Sequence, residues 1–181
     1  MNPSRAFRSL GLISFAALNC ISASAKELDS NGRFFVGTGG GLSHVDQGVG
    51  NGMTYGAQGT YFFDPNLGGG VFIQLNHHTR DVNSRFVGLQ GLCKFSNETS
   101  GLWVGTTLAH GGFWTDAQKG KTNLAYGVKA GLDYELGAVR KKERGHSVSM
   151  TLGLEMQMSW TKPGTTYLGM AAPGATLKAW F

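Results

Sequence analysis

Charge is scarce in this 181-residue chain, where Asp, Glu, Lys and Arg together make up 15%, against about a quarter in ordinary soluble domains. Only four prolines and two cysteines occur. With aromatics at 11%, the disordered, collagen-like and coiled-coil classes have no compositional support. The body of the chain also lacks any apolar run long enough for a membrane-crossing helix. What it has in excess is glycine, 29 residues, roughly twice average usage. A chain with few charges and no long apolar runs must alternate its apolar residues with small or polar ones, which is a β habit.

Residues 1–25 read as a secretory signal peptide, leaving 26–181 as one domain. Arg5 and Arg8 precede the apolar run Leu10–Leu18, and Ala23-Ser24-Ala25 offers a small-x-small cleavage site. The run is too short for a spanning anchor. Lipoprotein processing at Cys20 is disfavoured because Ala17-Leu18-Asn19 lacks the small residue wanted beside a lipidated cysteine. Losing Arg5 and Arg8 lowers the formal charge by two from the full chain's +5. Four of the remaining cations crowd into Arg140, Lys141, Lys142 and Arg144, so no extended basic face for nucleic acid exists. Cys93 would then be the only thiol, and no internal disulfide can form.

Period-two alternation is clearest from Leu124 to Leu136, where Leu124, Tyr126, Val128, Leu132 and Tyr134 alternate with Gly127, Lys129, Gly131 and Asp133. Ser147 to Trp160 repeats it, with Val148, Met150, Leu152, Leu154, Met156 and Met158 on one face. Weaker copies complete eight expected strands at 33–43, 53–63, 69–78, 85–95, 102–112, 123–136, 147–160 and 174–181. Short turns such as Asp64–Gly68 and Ser96–Ser100 alternate with mostly longer connections rich in Gly, Asn, Asp and Thr. The expected fold is all-β: a transmembrane up-and-down antiparallel barrel of eight strands. With a periplasmic amino terminus, Phe34, Phe35, Tyr61, Phe63, Phe95, Tyr134 and Phe181 fall at the lower rim, and Tyr55, Phe113, Trp114 and Trp160 at the upper. A soluble lipocalin-like barrel is the rival. Against it, the less apolar face carries Gly37, Gly39, Gly41, Gly56, Gly105 and Gly127 with few charges, which suits a narrow lumen.

The chain ends Ala175-Thr176-Leu177-Lys178-Ala179-Trp180-Phe181. Leu177, Ala179 and Phe181 resemble the carboxy-terminal signal that hands bacterial outer-membrane proteins to the barrel-assembly machinery. Ala179 stands where an aromatic is common and Thr176 where a glycine is common. With the leader and the eight-strand pattern, the chain resembles the small outer-membrane barrels that include the outer-membrane protein A barrel domain and the outer-membrane proteins X and W. The resemblance implies export to the bacterial outer membrane and contact with its lipids and lipopolysaccharide. It implies no activity by itself.

An eight-stranded interior is just wide enough for side chains, so at most a narrow pore is expected. The reading taken is a monomeric structural or surface-recognition protein displaying four extracellular loops, with an unknown ligand and no cofactor. The alternative is an enzyme modifying lipid A or phospholipid, of deacylase or acyltransferase type, since some barrels of this kind carry such sites. His44, His77, His78 and His110 gather at the upper rim with Asp46, Asp81 and Asp116 in the same loops. The His-x-Ser arrangement of barrel deacylases occurs only as His77-His78-Thr79, with the hydroxyl adjacent, and at His146 on the opposite end. The same imidazoles could ligate Zn²⁺ or Cu²⁺, but adjacent His77 and His78 must face opposite ways on a strand, so no metal is assigned. In the lumen, pairing Leu136 with His146 sets Glu155 near Gly127, diagonal to Lys129. An interior Lys129–Glu155 ion pair is expected, with Asp133 and Lys178 as a second.

Overall fold

The computed structural model describes residues 33–46, 50–78, 82–95, 99–115, 122–140, 147–162 and 168–181. The leader, Asp81, Asp116, His146 and most of the Arg140–Arg144 run lie outside these residues. Eight strands follow one another: β1 (Arg33–Val45), β2 (Gly50–Phe62), β3 (Leu67–His78), β4 (Val82–Lys94), β5 (Gly101–Thr115), β6 (Thr122–Arg140), β7 (Ser147–Thr161) and β8 (Leu168–Trp180). Each pairs antiparallel with the next, and β8 pairs with β1, closing the barrel. Closure leaves no free edge among the strands, which is what permits a sheet to cross a bilayer.

The alternation read from the sequence sets the two faces. Leu124, Tyr126, Val128, Leu132 and Tyr134 of β6 are exposed, as are Leu152, Leu154, Met156 and Met158 of β7. Gln74, Asn76, Gln90, Lys129, Asp133, Gln157 and Lys178 are buried instead. A soluble protein would do the opposite; an apolar exterior around a polar interior is the surface of a barrel built to stand in lipid.

Most strand ends fall within three residues of the expected bounds, and two differ by more. The strand β8 begins at Leu168, not at 174, and runs through Pro173. Its ladder with β1 stops at Gly41↔Gly174 and resumes at His44↔Ala171, whereas that with β7 continues through Met156↔Pro173. Proline cannot donate to a ladder, so its presence interrupts one side of the strand without ending it. The strand β6 runs past Leu136 to Arg140, with a register shift between Glu135 and Gly137. Gly137 has φ of 147°, a conformation open to glycine and costly for other residues.

Candidate functional site

The lumen is filled in layers. At the end where β1 begins and β8 finishes, Phe35, Phe62, Leu92, Trp103 and Trp180 form one buried cluster. These are the inward positions at the ends of five strands. Phe35 and Phe62 lie 4.8 and 5.7 Å from Trp180 between ring centroids. Trp180 Nε1 donates to Thr151 Oγ1 at 3.0 Å, and Lys94 Nζ stands 4.7 Å above the Trp180 ring. Apolar area, ring contacts and a cation–π contact all act to close this end.

Above the plug lies the charge network. Lys178 Nζ donates to Asp133 Oδ1 at 2.7 Å and Oδ2 at 3.0 Å, and its distance to Glu155 Oε1 is 3.0 Å. Lys178 also lies 4.4 Å from the Trp103 ring centroid. Lys129 Nζ donates to Gln58 Oε1 at 3.0 Å and Gln90 Oε1 at 2.9 Å. Gln58 Nε2 in turn donates to Glu155 Oε1 at 3.1 Å. The expected direct pairing of Lys129 with Glu155 is therefore corrected: an amide bridges them, and Lys178 holds both acids. The cause is register. The β6–β7 ladder runs past Leu136 to Arg140↔Ser147, so Glu155 faces Gly131 instead of Gly127, and Lys129 stands opposite Gln157. A buried charge is tolerable only where every partner is supplied, and both lysines have theirs.

Beside this network, a cavity of about 70 Å³ is bounded by Gly37, Gly39, Gly56, Gln58, Gln74, Lys129, Glu155 and Gln157. That is room for a few waters against polar walls. Beyond it Val45, Phe72, Phe86, Ala109, Ala125 and Met170 form a second buried cluster, with Phe113 packed on it.

The four rim histidines are not one group. His78 points inward and is buried, with Nδ1 3.4 Å from Ser43 Oγ and Nε2 3.1 Å from Ser84 Oγ. Asn76 Nδ2 donates to the same Ser84 hydroxyl at 2.9 Å. His44, His77 and His110 are exposed on the outer wall. His44 Nδ1 lies 2.6 Å from Asn51 Oδ1, and His77 Nδ1 2.6 Å from Asn83 Oδ1. Among the described residues no three His, Cys, Asp or Glu side chains converge as a metal-binding group.

The rims also need correction. Tyr61, Phe63, Phe95, Tyr134 and Phe181 are exposed at the lower rim, and Tyr126 stacks on Trp160 at 5.9 Å near the other. Phe35 and Phe113 turn inward, however, and belong to the two interior clusters. Sequence reasoning missed both clusters. The available signal was adjacency: in Phe34-Phe35, Tyr61-Phe62-Phe63 and Trp180-Phe181 one neighbour must face in when the other faces out. Leu177, Ala179 and Phe181 share the outward phase of β8, and Cys93 that of β4.

No protein-family model matches the sequence, and no curated protein does either. Solved structures do match in fold. Neisserial surface protein A has a TM-score of 0.63 at 14% identity, over 80% of this chain and 95% of that one. Ail, the attachment invasion locus protein of Yersinia pestis, gives 0.51 at 15% identity, over 82% and 99%. The N-terminal β-barrel domain of OprF from Pseudomonas aeruginosa gives 0.50 at 16% identity, over 83% and 98%. These neighbours are small outer-membrane barrels, so the resemblance read from the strand pattern holds at the level of fold.

Proposed function

We propose that this chain is an outer-membrane protein whose closed, non-conducting barrel carries loops at the histidine-rich end outside the cell, in a surface-recognition or structural role. The observation that carries this reading is the stoppered lumen: apolar clusters around Trp180 and Phe86 lie on either side of a fully partnered charge network. Such an interior offers little to a passing solute, which leaves the loops and the outer wall as the working surfaces. The exposed apolar wall and the fold shared with outer-membrane proteins support the location. The outward Leu177, Ala179 and Phe181 fit a carboxy-terminal signal for the barrel-assembly machinery.

The test is conductance. Purified protein folded into planar bilayers should give no discrete current steps, while protease on intact cells should cut in the loops near 80, 119–121 and 162. Regular channel openings would overturn the non-conducting reading, and cleavage confined to Arg140–Arg144 would invert the topology. A lipid-modifying enzyme is the weaker reading. The serine–imidazole contacts of His78 lie inside the lumen, away from lipid, and a nucleophile must reach its substrate. Incubation with labelled lipopolysaccharide or phospholipid should release no product.

A further inference from the structure

The outer wall is mostly apolar, yet β3, β4 and β5 carry His77, Arg85 and His110 on it. All three are exposed, and the residues beside them, Asn76, Ser84 and Ala109, are buried, so the three project outward. His77 stands opposite Asn83, two residues before Arg85; Arg85 stands opposite Gly112, two residues after His110. They are thus diagonal neighbours on consecutive strands, about 7–8 Å apart at each step. Because strands tilt, hydrogen-bonded rows climb around a barrel, and this diagonal runs close to one level. Toward the middle of the barrel the same strands turn to exposed Val87, Leu89 and Leu108, so the three mark the upper border of the apolar band.

Two details make the patch more than an incidental charge. Arg85 has no carboxylate or hydrogen-bond partner among the described residues, and Gly112 across the ladder has no side chain to crowd its guanidinium. The contact of Nδ1 with Asn83 Oδ1 at 2.6 Å fixes the His77 ring on the outer wall. On the neighbouring strands β6 and β7 the wall at this end carries the Tyr126–Trp160 stack instead. At the border of an apolar band an exposed guanidinium lies within reach of lipid phosphates, which its planar fork binds through two hydrogen bonds.

We propose that His77, Arg85 and His110 form a docking site for the phosphate of a lipid headgroup, in the leaflet that meets the β3–β4 loop end of the barrel. The inference rests on the membrane reading above and adds a specific site to it. The test uses the folded full chain in phosphatidylcholine nanodiscs doped with lipid A or with its dephosphorylated form, and counts retained lipid by native mass spectrometry. The unaltered protein should keep the phosphorylated form at least about fivefold better, the worth of one cationic side chain near a membrane surface. The triple change His77→Gln, Arg85→Gln, His110→Gln should bring the two forms to parity without changing the heat-modifiable gel shift. Equal retention by the unaltered protein, or undiminished preference in a folded triple variant, would overturn the site and leave the membrane reading standing. Failure of the unaltered protein to enter nanodiscs at all would sink the membrane reading, and the site with it.

Discussion

Gly153 of β7 stands directly opposite Asp133 of β6, and a β-carbon added to it would lie 2.6 Å from Asp133 Oδ1. The same added carbon would come 3.3 Å from Lys178 Nζ and 3.5 Å from Glu155 Oε1. The missing side chain is therefore the space that the charge network occupies. Gly153→Ala should displace Asp133 from Lys178 and lower stability by about 1–3 kcal/mol, the usual range for overpacking. Urea unfolding in micelles checks this; an unchanged midpoint would mean that the cluster can shift without loss.

Lys178 is the shared partner of two acids, whereas Lys129 reaches Glu155 through Gln58. Lys178→Met should cost about 3–5 kcal/mol, because it strands buried carboxylates. In double-mutant cycles, Lys178 with Asp133 should show coupling in the range of about 0.5–3 kcal/mol found for residues in contact. Lys129 with Glu155 should show less. Stronger coupling between Lys129 and Glu155 than between Lys178 and Asp133 would contradict the bridged arrangement.

Trp103 is buried in the lower cluster and lies against Gly131, where an added β-carbon would be 2.4 Å from Trp103 Cζ2. Trp103→Ala should destabilise by about 3–5 kcal/mol, as large core truncations do. A loss under about 1 kcal/mol, well below that range, would show that the plug adds little to the fold.

The histidines should divide by face. His44→Ala, His77→Ala and His110→Ala together should leave the gel shift and the unfolding midpoint nearly unchanged. His78→Ala should cost about 1–3 kcal/mol, since it leaves buried hydroxyls of Ser43 and Ser84 short of a partner. The opposite ranking, with the outer three costly and His78 neutral, would show the assigned faces to be wrong.

The strands were legible because lipid on one side and packed polar groups on the other impose a strict period of two, as in Leu124–Leu136. Alternation states which residues share a face, but not which rung of the next strand they meet. That depends on the turn, and the β6–β7 ladder continues past Leu136 to Arg140↔Ser147, which sets Glu155 four residues along β6 from the position inferred from a tight connection. Composition likewise hid the plugs. Phe35 and Phe113 look like girdle residues one by one, and only closure of the sheet brings Phe35 against Trp180 from the other end of the chain.

Pro173 bears on how the barrel holds together through time. The seam between the first and last strands is the one pairing that a chain leaving its ribbon open would lack, and it is also the ladder with missing rungs between Gly41↔Gly174 and His44↔Ala171. Brief openings of the wall are therefore concentrated along this line. Solvent deuterium would enter the backbone around Leu42 and Ser43 sooner than the uninterrupted β4–β5 ladder, so the joint that completes the cylinder is also its fastest-breathing part.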